Sequence, residues 1–227
     1  SLKGQRSVKA LAVTPDGQQI VSGSGYADIK VWDLSIEEIR PRSLEGHTGR
    51  ARAVAVSLNS STSTSYVVSG SNRVKVWDLA SGRLLRSLAE QTENMDAMAV
   101  SPDGDLVVGG FRDGTIKIFD LVHGCFLRSL GVHTYPVQAL AITPDGQQII
   151  SGAKDGTVKV WDLASGGFLH CLAGFRGPVY AIAITPNGKE VVIKSKSRNA
   201  RVWDLASGRV LRSLEGHILS AFCNMVV

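Results

Sequence analysis

An aromatic residue followed by aspartate recurs at Trp32-Asp33, Trp77-Asp78, Phe119-Asp120, Trp161-Asp162 and Trp203-Asp204, at spacings of 45, 42, 42 and 42 residues. A period of this length, held through most of the chain, restricts it to an array of supersecondary units. Each unit is too small to bury its own apolar faces and must stack on its neighbours. The copying extends well beyond the marker. Ala10–Gly23 and Ala139–Gly152 differ only by Val/Ile exchanges, and Leu79–Leu88 and Leu205–Leu214 are nearly as close.

The clearest copy is Val137–Leu172. It holds four runs rich in Val, Ile, Trp and Phe: Val137–Thr143, Gln147–Gly152, Thr157–Asp162 and Phe168–Leu172. Between them stand Pro144-Asp145-Gly146, Lys154-Asp155-Gly156 and Ala164-Ser165-Gly166. Each turn supplies glycine for a positive φ and Asp or Ser to bond the local backbone. The pattern predicts a four-stranded antiparallel meander.

Four strands per unit, a period in the low forties, a Gly-His near one turn and Trp-Asp closing the third strand resemble the WD-repeat family of β-propellers. The near-identity of the first and fourth units resembles bacterial, especially cyanobacterial, members. The fold class expected is therefore all-β: a propeller of five four-stranded antiparallel blades plus one extra C-terminal strand, in a single domain over residues 1–227. The blades fall at about 7–44, 50–88, 95–130, 137–172 and 179–214, with an overhang at 218–227. Ser1-Leu2-Lys3-Gly4 aligns with the end of a fourth strand. Rings of this family most often have seven blades, so five are expected to form a small closed ring or, as the mid-motif start favours, part of a larger, seven-bladed array.

The copies are imperfect. In blade one the third turn is Gly25-Tyr26-Ala27, and Pro41 fits the last strand only at an edge or bulge. Blade two carries a polar tract, Asn59 to Ser65, expected to be a mobile loop. In blade five, Ile193 to Asn199 replaces the usual second turn.

The resemblance implies a buried hydrogen-bonded tetrad in each blade, met in full by His133, Ser151, Asp155 and Trp161. A Ser-His-Asp set also evokes a hydrolase, but one that recurs with the repeat and looks placed for burial reads as structural. Other blades depart from it: Gln5 and Tyr26 in the first, a shortened turn beside His47 and Trp77 in the second, Gln91 and Gly109 in the third, Phe175, Ile193 and Ser197 in the fifth. Blades one and five are expected to be the least protected.

No apolar run is long enough to span a membrane, and no signal peptide opens the chain. Cys125, Cys171 and Cys223 do not follow the repeat, which predicts free thiols and a cytoplasmic, reducing setting. His123, Cys125, His170 and Cys171 bring zinc to mind, but neighbours on a strand point to opposite faces. No metal, cofactor or catalytic set is expected. The net charge of +5 lacks the concentrated stripe of a nucleic-acid binder. Arg42, Arg86, Arg128, His170 and Arg212 share one outer-strand position and read as edge protection.

In WD-repeat proteins partners usually meet the face holding the loops before the first strand and between the second and third. Carried onto this sequence, that face offers Lys9, Arg50, Arg52, Arg112, Tyr135, Gln138, Lys154, Arg176, Tyr180 and Lys196, with Asp96 among them. Arg and Tyr tend to anchor interfaces. The expectation is a non-enzymatic protein-interaction scaffold for an acidic peptide or protein segment. The alternative is a self-assembly module whose open blade edges pair with another copy.

Overall fold

A computed structural model describes residues 5, 7–35, 41–59, 64–88, 94–172, 177–196 and 200–214. These form twenty strands in five antiparallel sheets, each a meander in chain order. Blade one holds β1 (Val8–Val13), β2 (Gln19–Ser24), β3 (Ile29–Asp33) and β4 (Arg42–Leu44); blade two holds β5 (Ala53–Asn59), β6 (Thr64–Gly70), β7 (Val74–Asp78) and β8 (Leu84–Ser87). Blade three comprises β9 (Met95–Val100), β10 (Leu106–Phe111), β11 (Ile116–Asp120) and β12 (Cys125–Ser129). Blade four comprises β13 (Val137–Ile142), β14 (Gln148–Ala153), β15 (Val158–Asp162) and β16 (Phe168–Leu172). Blade five comprises β17 (Val179–Ile184), β18 (Glu190–Ser195), β19 (Ala200–Asp204) and β20 (Val210–Leu214). The overhang at 218–227 lies outside the described residues.

The core lies between blades rather than within them. Ala139, Ile150, Val158, Val160 and Leu172 of blade four pack against Val179, Ile182, Ile184, Val191, Trp203 and Leu205 of blade five. Each earlier junction repeats this arrangement with its own residues. Alternation explains it. Ile or Val on one side of each third strand faces the next blade, and the aromatic residue on the other side faces the preceding one. The first strands neighbour one another in the order β1, β5, β9, β13, β17.

The turns work as local chemistry demands. The aspartate of each Trp-Asp pair is a turn former: Asp162 accepts the Ser165 backbone N–H at 2.7 Å, and Asp78 and Asp204 repeat the contact with Ser81 and Ser207. Gly166 then turns at φ 75°.

Two expectations are corrected. The polar tract of blade two is strand at both of its described ends, because Leu58 pairs with Ser65 and Asn59 with Thr64, lengthening the β5–β6 hairpin; residues 60–63 lie outside the described set. The Arg column is also not free edge protection. Arg42 donates to the carbonyls of Leu79 and Ala80, Arg86 to those of Leu121 and Val122, and Arg128 to that of Ala164. Each arginine thus caps the third-to-fourth-strand turn of the following blade. Pro41 stands just before β4, a strand hydrogen-bonded on one side only.

Candidate functional site

The five first strands share a cavity of about 540 Å³, lined by residues of every blade. Its polar end is built by a backbone device. In β1, β9, β13 and β17 the pairing register slips by one residue, leaving Lys9, Asp96, Gln138 and Tyr180 as the extra, bulged residue. A bulge breaks alternation locally and re-aims the side chain it carries. Arg52 holds the corresponding place ahead of β5. Arg52, Asp96, Gln138 and Tyr180 line the cavity, and the Gln138 Oε1 is buried with no hydrogen-bond partner.

The loop between the second and third strands is stitched to this rim through the backbone. The N–H groups of Arg112, Lys154 and Lys196 donate to the carbonyls of Asn94, Pro136 and Pro178, at 3.1, 2.9 and 2.8 Å. Arg112 Nε thereby comes to 3.0 Å from Asp96 Oδ2, while Arg52 Nη1 approaches Asp96 Oδ1 at 3.2 Å. Asp96 is the hub of the rim. Arg50, Tyr135, Lys154, Tyr180 and Lys196 are exposed, and among the described residues the side chains of Arg50, Lys154 and Lys196 enter no ion pair. Arg176 lies outside the described residues. The carboxylates of Asp113 and Asp155 share these turns and offset part of the positive charge; each accepts the N–H and hydroxyl of Thr115 or Thr157.

Beneath the rim of blade four runs a directed relay. Trp161 Nε1 donates to Ser151 Oγ at 2.8 Å, and Ser151 Oγ lies 2.7 Å from His133 Nε2. His133 Nδ1 lies 2.7 Å from Thr157 Oγ1, which donates to Asp155 Oδ1 at 2.6 Å. A neutral imidazole with its proton on Nδ1 satisfies every group in one direction. Burial, with Lys159 nearby, lowers the His133 pKa to about 4 and so keeps it neutral. Ser151 is fully buried and already accepts the indole N–H. No carbonyl substrate can reach it. Thr157, the link between His133 and Asp155, was missed from the sequence; the repeated Asp-Gly-Thr at Asp113-Gly114-Thr115 and Asp155-Gly156-Thr157 was the available signal.

A family profile described as "Nucleolar protein 10-like, N-terminal domain" matches residues 50–226, and one described as "WD domain, G-beta repeat" matches residues 1–33. This chain belongs to the WD-repeat β-propeller family. It is similar to autophagy-related protein 16 of Arabidopsis thaliana, 34% identical over 47% of this chain and 20% of that protein. It also resembles the small ribosomal subunit protein RACK1y of Oryza sativa subsp. japonica, 44% identical over 31% of this chain and 21% of that protein. An uncharacterized WD repeat-containing protein of Synechocystis is 31% identical over 44% of this chain and 28% of that protein. The matched part is therefore between about a fifth and three-tenths of each relative's length. WD-repeat propellers typically serve as non-enzymatic protein-interaction scaffolds. No helix among the described residues is long and apolar enough to cross a membrane.

The other WD repeats solve the same burial problem differently. In blade one, Gln5 accepts from Ser22, which takes the Trp32 indole N–H at 2.7 Å, and the Gln5 amide donates to the Asp28 carbonyl at 3.1 Å. Blade two keeps His47–Ser69–Trp77, but its shortened turn leaves His47 Nδ1 and Ser71 Oγ buried without partners. Blade three abandons the network. Phe119 has no donor, Gly109 no acceptor, and Met95 fills the space, its Cε only 2.3 Å from where a Cβ on Gly109 would stand. In blade five Ile193 packs into the same core cluster as Trp203. At the zinc-like positions, His123 Nδ1 lies 2.8 Å from Asp120 Oδ2, and Cys125 and Cys171 are exposed free thiols.

Proposed function

We propose that this chain is a non-enzymatic interaction scaffold that receives an acidic peptide or protein segment across the loop face, in contact with Lys9, Arg50, Arg52, Arg112, Tyr135, Gln138, Lys154, Arg176, Tyr180 and Lys196. The observation that carries this reading is the bulged rim. Three blades spend an irregularity to bring Asp96, Gln138 and Tyr180 to the shared cavity, and Gln138 presents there a buried acceptor with nothing bonded to it. A peptide N–H would satisfy that acceptor. Lys154, Lys196 and Arg50 would meet carboxylates, and Tyr135 and Tyr180 would supply apolar contact. The exposed thiols support a cytoplasmic, reducing setting.

A labelled oligoglutamate peptide, followed by fluorescence anisotropy, tests the reading. Lys154→Glu with Lys196→Glu weakens binding about tenfold or more, and Asp96→Asn strengthens it by releasing Arg52 and Arg112. Added salt weakens it. Absence of binding at millimolar peptide, or affinity indifferent to both changes, overturns it. The alternative, pairing of open blade edges between copies, draws on the exposed Val8, Leu11 and Val13 of blade one.

A further inference from the structure

Three of the four junctions between blades hold a guanidinium in the same place. Arg42 donates to the carbonyls of Leu79 and Ala80, Arg86 to those of Leu121 and Val122, and Arg128 to that of Ala164. The aspartate that opens each receiving turn feels the charge. Asp78 is held below the ordinary carboxylate range first by the Ser81 hydroxyl and further by Arg42, and Asp162 first by Ser165 and further by Arg128. The fourth junction breaks the series. His170 stands in the arginine position, and its Nε2 is buried with no partner. Asp204 there has the Ser207 bonds but no guanidinium, and no donor among the described residues reaches the carbonyls of Leu205 and Ala206.

A cavity of about 280 Å³ opens at that junction. One wall is Asp204-Leu205-Ala206, the repeat equivalents of the Asp78-Leu79-Ala80 that surround Arg42; the facing wall is Thr143, Asp145 and Gln148 of blade four. The walls are rich in acceptors. Asp145 and Asp204 each spend Oδ1 on their own turn, on Thr143 and Ser207 respectively, and Gln148 has its Oε1 buried with no partner. The one cation in the lining is Lys189, which is exposed. Carbonyls, carboxylates and an amide oxygen together call for a ligand that donates in several directions and carries a positive charge. A guanidinium does this with five N–H groups in a fixed plane, whereas an ammonium offers a single point. Asp145 and Ala206 are exposed, so a side chain can enter from solvent. A free amino acid would bring its own carboxylate against Asp145 and Asp204.

We propose that the cleft between blades four and five is a binding site for an arginine side chain carried by a partner protein, seated where Arg42, Arg86 and Arg128 sit at the other junctions. Three junctions supply this group from within the chain; the fourth takes it from outside. The site lies at the end of the blades opposite the loop face, because the first and third turns of a four-stranded meander share one end and the second turn the other. It takes positive charge, whereas the loop face takes negative. This goes beyond the acidic-segment reading and does not rest on it.

The test titrates the blocked tripeptide acetyl-Gly-Arg-Gly-amide into the isotope-labelled 227-residue chain and follows its backbone amides by NMR. The amides of Gly188, Ala206 and Ser207 shift and saturate, with a dissociation constant of about 1 mM or below. The citrulline counterpart, equal in shape but uncharged, binds about tenfold more weakly or worse, and the lysine counterpart is also weaker. His170→Arg fills the site from within and abolishes saturation at those amides. Lys189→Gln, which copies Gln147 of blade four, removes the opposing charge and strengthens binding about threefold. No saturation by about 20 mM tripeptide overturns the proposal. So does equal binding of the citrulline form, or a His170→Arg chain that binds like wild type. Free arginine that binds more tightly than the blocked tripeptide overturns the assignment to a chain-borne side chain. Oligoglutamate binding is read separately, and His170→Arg leaves it unchanged, so either reading can fail alone.

Discussion

Arg128 donates across a blade junction to the backbone carbonyl of Ala164. Arg42 and Arg86 make the equivalent contact at the two earlier junctions, satisfying turn carbonyls that the meander leaves open. At the fourth junction the position is His170, whose Nε2 is buried with no partner. His170→Arg is therefore expected to stabilise the chain by about 1 kcal/mol, and Arg128→Met to destabilise it by about 1.5–3 kcal/mol, the range for hydrogen bonds to charged groups. Urea midpoints at unchanged m-value check both.

Serine at the second-strand position is not interchangeable between blades. Ser151→Ala strips the acceptor from the Trp161 N–H and the partner from His133, and costs about 2–3 kcal/mol. Gly109→Ser restores the repeat's own residue in blade three, yet it is expected to destabilise by a similar amount. Phe119 gives the hydroxyl nothing to accept, and Met95 occupies its place. Denaturant titration of the two variants side by side decides it.

His47 and His133 are both held near a pKa of about 4, chiefly by burial and next by Lys75 and Lys159 respectively, against 6.5 when exposed. In the unfolded chain both take up protons first as pH falls. Their contribution to stability is full above pH 6.5, declines between 6.5 and 4, and is flat below. Unfolding near pH 5 should take up about two protons from these groups. The turn aspartates Asp16, Asp78, Asp145, Asp162 and Asp204 are held below the ordinary carboxylate range, first by hydroxyl bonds from Thr14, Ser81, Thr143, Ser165 and Ser207. Their share is present above 3.8 and lost as pH falls further, so acid acts in two stages. His133→Gln, copying Gln5, removes about half of the first stage. Thermal melts from pH 7.5 to 3 measure it.

Ala27 turns at φ 68°, where Gly114 and Gly156 stand in blades three and four at 87° and 85°. A Cβ in the left-handed region is strained. Ala27→Gly is expected to raise stability by about 0.5–1 kcal/mol, the relief outweighing the added freedom of the unfolded chain. A rise in the calorimetric midpoint of blade-one unfolding checks this.

Periodicity made the sheets legible. The strands of blade four fall within a residue of the runs marked by Val137, Gln147, Thr157 and Phe168, because alternation and Asp-Gly turns are local signals. What crosses between blades was not legible. The repeat showed Arg42, Arg86 and Arg128 as a column, but not that each reaches into the following turn, which depends on how sheets stack. Gly109 read as a departure from the tetrad; its fit to Met95 and Phe119 emerges only where β9 and β11 meet in one core. The two ends of the polar tract, Asn59 and Thr64, looked like loop by composition, whereas their pairing follows from the register of the long hairpin. The role of Asp96 as hub was hidden for the same reason, since Arg52 lies on another blade.

The slipped residue in four of the first strands, with Arg52 at the matching place ahead of β5, frees these sites from the grammar of pairing. The frame around it is copied nearly verbatim between the first and fourth units, as Ala10–Gly23 and Ala139–Gly152 show, yet across the five units the site reads Lys9, Arg52, Asp96, Gln138 and Tyr180, five different residues. Duplication can multiply the frame while each copy's single unconstrained letter drifts alone. A propeller of this design spells its recognition surface as a short word written around an axis, and a new specificity requires changing letters without rewriting the page.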